Sequence, residues 1–441
     1  MNFEKLKKAA LKAGITDIEI YESASNGIEI SMFNGVVENN TSAATKVCAI
    51  RGVYQNQIVT VYEENCDDEM IPSVIERIKD NCSIKNQKDP FFIYSGDKEY
   101  PKLKEKTHDF DAFTLEDKVN LCTKLTSLMK EKSPYVQMTE VSYSEEETTT
   151  TIVNSNGLDV KRHSRYAFLV AEAVCVKDGE TKTGFDYIRL ENIKDADINT
   201  LAQEAVDSAV STFGADSIAS GAYPVVLDKK VVSSLLGAFA NVFSADAVLK
   251  NMSFLKDKVG EAVFGNNITL MDDPLSLDAP SQSAFDDEGV ASYTKAVVEN
   301  GVLKTYLHNL KTAAMMNVKS TGNGYKGGVQ TSVGVQPSNL YLKAGDTSLE
   351  DMIAKVGNGV YITSVTGLYA GLNPVSGSFN LQSSGFMIEN GIKTKPVTLI
   401  IVSGTLQELL NNVSAVGSDF EFKRGVGAPS LMIKSMAISG K

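Results

Sequence analysis

The sequence has no tryptophan, only three histidines, and no cysteine after Cys175. His108, His163 and His308 lie far apart, so HExxH and similar local zinc signatures cannot form. The GxSxG elbow of serine hydrolases is absent, and a serine triad would also need a well-placed histidine base. These absences exclude the hydrolase sites that are most readily recognised from residue spacing.

Other features that the sequence lacks restrict where the protein is expected to be located and what it is expected to bind. No apolar run approaches the roughly 20 residues that cross a bilayer, and the amphipathic N-terminus lacks the apolar core of a secretory signal. The five cysteines are odd in number and form no CxxC pair, which predicts reduced thiols in a cytoplasm. The net charge of −12 disfavours contact with phosphate backbones. We therefore expect a cytoplasmic protein without a membrane or nucleic-acid partner.

The first half of the chain reads as an internally repeated α+β domain. An amphipathic helix ending at Gly14 is followed by strand-like segments and by Asn34-Gly35, a strong hairpin signal. A second round begins with a helix capped by Thr114 and contains Asn156-Gly157 in the corresponding place. This order predicts two related helix-plus-strands units sharing one sheet. The polar stretch at about 82–111 is predicted to be a surface excursion.

A small-residue linker near 214–224 marks the predicted domain boundary. We assign residues 1–217 to the N-terminal α+β domain and 218–441 to a C-terminal β-rich domain with a few short helices. In the second domain a short apolar strand at 223–227 is predicted to be followed by a long apolar helix at about 230–249.

Further signals predict where helices and hairpins of the second domain begin. Thr347 with Glu350, and Thr405 with Glu408, have the spacing of capping boxes. Two similar segments, VVENGVLKTYL and MIENGIKTKPV, predict Asn-Gly hairpins.

The segment 285–325 combines an acidic turn, a hairpin and a Gly-rich turn. Its GNGYKG sequence matches GxGxxG, but a helix-like segment precedes it and none follows, which favours a turn over a nucleotide site. Asp286, Asp287 and Glu288 suit either a cation or peptide-amine site, or a solvent-facing loop whose carboxylates cap backbone amides. The loop interpretation is favoured, because consecutive side chains of an extended segment alternate in direction.

These motifs resemble the C-terminal domain of the TldD/PmbA family, once called modulators of DNA gyrase and now viewed as metalloprotease subunits. The resemblance rests on FDDEGV, VENGVLKTYL and STGN, on GLNPVSGSFNLQSSGFMIENG at 371–391, and on SAVGSDF and GAPSLMI near the C-terminus. The order and spacing of these blocks are specific. The N-terminal half, with VENN at 37–40 and its small-residue strands, fits more loosely, and the resemblance covers nearly the whole chain.

The family resemblance also predicts which branch the chain represents. TldD-type subunits carry a His-Glu-x-x-x-His motif early in the C-terminal domain and a further ligand, commonly Cys, near the C-terminus. The corresponding helix here, residues 233–250, contains no His, Glu or Cys. The chain therefore resembles the PmbA/TldE branch, which lacks the zinc motif.

The resemblance implies a non-metal-binding subunit of a cytosolic peptidase that degrades or matures peptides. The expected partners are a TldD-type zinc subunit, or a second copy of the chain, and an extended peptide substrate. No cofactor is expected in this chain and no residue is assigned a catalytic or metal-binding role. The candidate substrate-groove residues are Asp286, Asp287, Glu288, His308 and Asn323. Two alternatives stay open: a stand-alone hydrolase with a cryptic site, and a non-catalytic peptide- or protein-binding module with a gyrase-modulating role.

Overall fold

The computed structural model describes residues 1–64, 66–104, 106–423 and 425–441. The chain divides into two compact units. Unit 1 comprises residues 1–96, 104–213 and 328–331, and unit 2 comprises 97–103, 214–327 and 332–441. Among the described residues, no helix is long and apolar enough to cross a membrane.

The described residues of unit 1 form a six-stranded antiparallel sheet with four α-helices. Its helices are α1 (Phe3–Lys12), α2 (Ile71–Ile84), α3 (Leu115–Lys132) and α4 (Ile198–Val210). Its strands are β1 (Asp17–Phe33), β2 (Val36–Tyr54), β3 (Gln57–Glu64), β4 (Val136–Asn154), β5 (Asp159–Lys177) and β6 (Glu180–Leu190). The spatial order β3-β2-β1-β4-β5-β6 places the two three-stranded halves side by side, with β1 and β4 at the centre.

The two halves of unit 1 repeat the same plan, which confirms the predicted pair of helix-plus-strands units. In each half a helix precedes three antiparallel strands and a second helix follows them. Asn34-Gly35 and Asn156-Gly157 lie in equivalent turns, and both glycines adopt positive φ. Two cores lie under the helices: α1 and α2 pack on β1–β3, and α3 and α4 pack on β4–β6 and on Ile30 and Met32 of β1.

The strands of unit 1 are longer than the sequence pattern suggests. Residues 36–46 of β2 are exposed on both faces, so they show no apolar alternation, although every residue from 39 to 53 pairs with β1. Backbone hydrogen bonds to the long partner strand therefore maintain this part of the sheet.

The cysteine prediction was wrong for one pair, because a disulfide joins Cys48 to Cys66. The other three cysteines are free and buried. The two bonded residues come from β2 and from the turn after β3, which only the folded sheet brings together.

Unit 2 is β-rich, with short helices, as predicted. Its helices are α5 (Lys229–Phe239), α6 (Ala245–Leu249), α7 (Leu310–Met316), α8 (Leu349–Val356) and α9 (Leu406–Asn411). Its strands are β7 (Gly221–Leu227), β8 (Leu270–Asp272), β9 (Lys295–Glu299), β10 (Val302–Leu303), β11 (Gly324–Tyr325), β12 (Gly334–Val335), β13 (Leu340–Leu342), β14 (Gly359–Thr366), β15 (Leu372–Asn373), β16 (Ser378–Glu389), β17 (Ile392–Thr405), β18 (Val413–Val416), β19 (Glu421–Lys423), β20 (Val426–Ala428) and β21 (Leu431–Ser439).

Two larger sheets and one small hairpin organise these strands. One sheet has the order β10-β9-β8-β13-β20-β19, and the other has the order β14-β7-β21-β17-β16-β15 with β18 on β21. β14 also pairs with β16, so five strands of the second sheet form a closed ring. The larger apolar core contains side chains from α5 and from both sheets, and a smaller one lies under α8.

The local signals of unit 2 are partly confirmed. Both Asn-Gly hairpins form, with Asn300 and Asn390 at positive φ as a type I′ turn requires. The Thr405 capping box is present, but Ser348 rather than Thr347 caps α8. The predicted helix at 230–249 is divided, because Ser244 has extended dihedrals and caps α6.

Candidate functional site

The acidic turn at 285–291 lies inside unit 2 rather than in solvent. Asp286 is 0 % exposed, and Asp287 and Glu288 are 4 % and 6 % exposed. The expectation of a solvent-facing loop was therefore wrong. The acidic side chains instead make specific contacts with the backbone of unit 2.

Asp286 organises the turn through three amide hydrogen bonds. Its Oδ1 accepts from the backbone N–H groups of Glu288 (2.9 Å) and Val290 (3.0 Å), and its Oδ2 accepts from Gly324 (2.8 Å). Burial, and then the charge of Glu288, raise the pKa of Asp286, while the three amides act in the opposite direction. The carboxylate holds β11 against the turn.

The two neighbouring acids also accept backbone amides. Asp287 Oδ2 accepts from Lys326 N (2.8 Å), and Glu288 Oε2 accepts from Leu310 N (2.7 Å) at the start of α7. The three consecutive carboxylates thus accept backbone amides from their own turn, from the segment 324–326 and from the start of α7. The amide-capping interpretation is confirmed.

A second polar cluster surrounds Asn323. Its Nδ2 donates to Asp272 Oδ2 (2.7 Å) and to Gln336 O (2.9 Å). Its Oδ1 accepts from Lys295 Nζ (3.2 Å) and Thr321 Oγ1 (2.8 Å). Since both amide hydrogens and the carbonyl oxygen have partners within the chain, Asn323 acts here as an internal connector.

Asp272 and Lys295 are buried charges that the sequence pattern did not single out. They are 0 % and 6 % exposed, and Lys295 Nζ lies 3.1 Å from Asp272 Oδ2. Asp272 Oδ1 additionally accepts from Ser338 and Asn339. Only the pairing of β8 with β9 brings the aspartate and the lysine together, so no local motif could have predicted the pair.

His308 lies at the edge of this cluster. Its backbone carbonyl accepts from Asn323 N (3.2 Å), and its side chain is 4 % exposed. Among the described residues, its Nδ1 has no hydrogen-bond partner. Burial lowers the pKa of His308 to about 4, so the ring is neutral near pH 7.

A segment from the predicted surface excursion packs on the acidic turn. Tyr100 donates its hydroxyl to Gly289 O (2.7 Å), and its ring contacts Phe285 edge-on. Asp97 Oδ2 accepts from Ala291 N (2.8 Å). Residues 97–103 accordingly belong to unit 2, although they precede the rest of that unit by more than 100 residues.

The GNGYKG sequence forms a turn followed by a two-residue strand. β11 pairs with β12, whereas a dinucleotide site needs a helix to begin after the glycines. Gly324 is required for close contact, because a Cβ there would lie 2.6 Å from Glu288 Oε2. The glycines thus allow the chain to approach the acidic turn.

The helical segment at 233–250 provides packing rather than ligands. Val231, Leu235 and Phe239 of α5 are buried in the core of unit 2. Asp246 is the sole carboxylate in that range, and it pairs with Lys250 at the surface (2.7 Å). This helix therefore presents no set of side chains suited to zinc.

Family models match three stretches of the chain. The descriptions are the PmbA/TldA metallopeptidase domain 1 at residues 18–82, the central domain at 108–213, and the C-terminal domain at 220–440. The C-terminal match alone spans half of the chain. The two sheets of unit 2 and the buried acidic turn therefore belong to a metallopeptidase-type C-terminal domain. The chain belongs to the PmbA/TldD family.

Individual relatives agree with this assignment. A metalloprotease of Methanocaldococcus jannaschii is 28% identical over 434 residues, covering 96% of this chain and 94% of that protein. Metalloprotease PmbA of Escherichia coli O157:H7 is 23% identical over 445 residues, covering 98% and 94%.

Solved structures share the fold over the full length. A putative modulator of DNA gyrase from Thermotoga maritima has a TM-score of 0.91 and 30% identity, with 99% of this chain and 100% of that chain covered. TldE from Thermococcus kodakarensis has a TM-score of 0.87 and 22% identity, with 99% and 100% covered. The latter likeness concerns the fold alone.

Proposed function

We propose that this chain is the PmbA/TldE-type subunit of a cytosolic metalloprotease complex, in which a TldD-type subunit holds the zinc. The observation that carries the proposal is the apolar helix α5. Its side chains Val231, Leu235 and Phe239 are buried in the apolar core of unit 2. A helix that held a catalytic zinc ion would instead need metal-ligand side chains directed into the active site. The chain would then support the complex and contribute to substrate binding.

An open cavity in unit 2 supports a role in binding peptides. It has a volume of about 710 Å³ and lies beside β15, β16 and the loop before β15. Its lining is neutral and rich in hydrogen-bonding groups: Thr366, Asn373, Ser378, Asn380 and Gln382. Side-chain amides and hydroxyls both donate and accept, so this lining suits the backbone of an extended peptide.

The stand-alone hydrolase is the less favoured alternative. A general acid or base needs a proton-transfer atom that can reach substrate. Asp286 is fully buried and uses both oxygens on backbone amides, and Asn323 has its amide fully engaged. Peptidase activity in the purified chain that is lost on Asp286→Asn and Asp287→Asn substitution, with the fold retained, would favour this alternative.

Co-purification tests the proposed complex. The tagged chain, expressed in its native organism, should recover a subunit carrying the His-Glu-x-x-x-His motif in about equal amount. Recovery of the chain only as a monomer or homodimer, although such a subunit is present in the lysate, would contradict the proposal.

A further inference from the structure

Three potential metal ligands meet in unit 1. Glu22 on β1 lies directly opposite Cys48 on β2, and Cys66 follows β3. The carboxylate and the two sulfurs all lie within 4.8 Å of one another. The register of three neighbouring strands therefore brings together residues that are 18 to 44 positions apart in sequence.

The surroundings of these residues suit a partly shielded metal site. Cys48 and Cys66 are 0 % and 2 % exposed, while the Glu22 side chain is 24 % exposed. Solvent therefore reaches the cluster from the carboxylate side. Two thiolates and one carboxylate are ligands that Zn²⁺ accepts, whereas Mg²⁺ and Ca²⁺ prefer oxygen alone. Three protein ligands leave the fourth tetrahedral position to water.

We propose that reduced Cys48 and Cys66, together with Glu22, form a binding site for a soft divalent cation such as Zn²⁺, and that the disulfide closes this site. A dithiol reductant transfers two electrons to the disulfide and is itself oxidised to a disulfide, leaving two thiols. Metal binding then releases the two thiol protons. In the reverse reaction a disulfide oxidant accepts two electrons from the pair and becomes a dithiol, the Cys48–Cys66 bond forms again and the metal is expelled.

Lys46 is a charged group that lies next to this cluster. Its Nζ lies 3.1 Å from Glu22 Oε2, and its side chain is 44 % exposed. The same carboxylate oxygen lies 3.8 Å from Cys48 Sγ. The ammonium group competes with a metal cation for Glu22, and its exposure lets it turn into solvent when the cation binds. Removal of this charge is expected to strengthen metal binding.

Cobalt titration of the full chain tests the proposal. After reduction with a phosphine, the chain should bind about one Co²⁺ and show the absorbance of thiolate-to-cobalt charge transfer. Cys48→Ser and Cys66→Ser should abolish this absorbance, and Glu22→Gln should weaken binding by about tenfold or more. Lys46→Met should strengthen it. Cys122→Ser, at a buried free cysteine of the other core of unit 1, is the matched control and should bind normally.

Two further results decide the proposal. The oxidised chain should bind no Co²⁺ and should expose three of its five thiols when unfolded, because one pair is bonded. A reduced, folded chain that shows no charge-transfer absorbance would overturn the site, as would unchanged absorbance in Cys48→Ser and Cys66→Ser. The readout is spectroscopic and involves no residue of α5. The metal-site proposal can therefore fail without affecting the proposed peptidase complex, and the reverse also holds.

Discussion

Gly324 and Glu288 are in such close contact that a side chain at position 324 would have to displace the glutamate. A Cβ there would lie 2.6 Å from Glu288 Oε2, the oxygen that accepts the amide of Leu310 at 2.7 Å. The glycine thus allows a buried carboxylate to connect β11 with the start of α7.

Gly324→Ala should destabilise unit 2 by about 1–3 kcal/mol, since the added methyl group must displace Glu288 from its amide partner. Urea denaturation of the full chain measures the change. Gly328→Ala is the control, because no atom lies within 4 Å of a Cβ at that position. Equal stability of the two variants would show that Glu288 moves without cost.

Asp286→Asn should cost about 2–3 kcal/mol in the free energy of unfolding, because an NH₂ group would then face backbone N–H donors. Either orientation of the amide leaves at least one of the three donors unpaired. The same substitution at exposed Asp278 is expected to have little effect. A stable Asp286→Asn protein would mean that the turn does not depend on this carboxylate.

His308 should make the protein sensitive to acid. Its pKa is about 4 in the folded chain and about 6.5 when unfolded, so the unfolded state binds the proton more tightly. The contribution of the neutral ring to the free energy of unfolding is fully present above pH 6.5. It falls by about 1.4 kcal/mol per pH unit as the pH decreases from 6.5 towards 4.

His308→Gln should therefore flatten the stability profile between pH 4 and 6.5, relative to the unsubstituted chain. Denaturation at a series of pH values measures this, with His163→Gln as the surface control, since that side chain is 49% exposed. An identical acid dependence in the His308 variant and the parent would contradict the assignment.

Lys295→Met should cost about 3 kcal/mol or more, because it leaves the buried Asp272 without its cationic partner. The double variant Asp272→Asn with Lys295→Met should recover part of this loss, since it removes the second charge as well. Denaturation of the two single variants and the double variant gives the coupling. Additive losses would show that the two charges stabilise the fold independently.

The sequence predicted those features that depend on neighbouring residues. Asn300 and Asn390 were recognised as hairpin turns because the required left-handed dihedrals restrict the residue type. The division of the second domain's first helix at Ser244 was missed, because its apolar residues continue across the break.

The candidate site was only partly predictable. The acidic turn was located from its residues, but its burial depends on β11, α7 and the segment around Tyr100, which are distant in sequence. Asp272 and Lys295 were missed for the same reason, as was the Cys48–Cys66 bond. The role of the five proposed groove residues in substrate binding stays a prediction.

Peptidase activity after mixing purified subunits tests the central proposal most directly. The chain alone should not hydrolyse an unstructured peptide, whereas its mixture with a TldD-type zinc subunit should do so, and faster than that subunit alone. A metal chelator should abolish the activity of the mixture. Chelator-sensitive hydrolysis by the chain alone would contradict the assignment of catalysis to the partner.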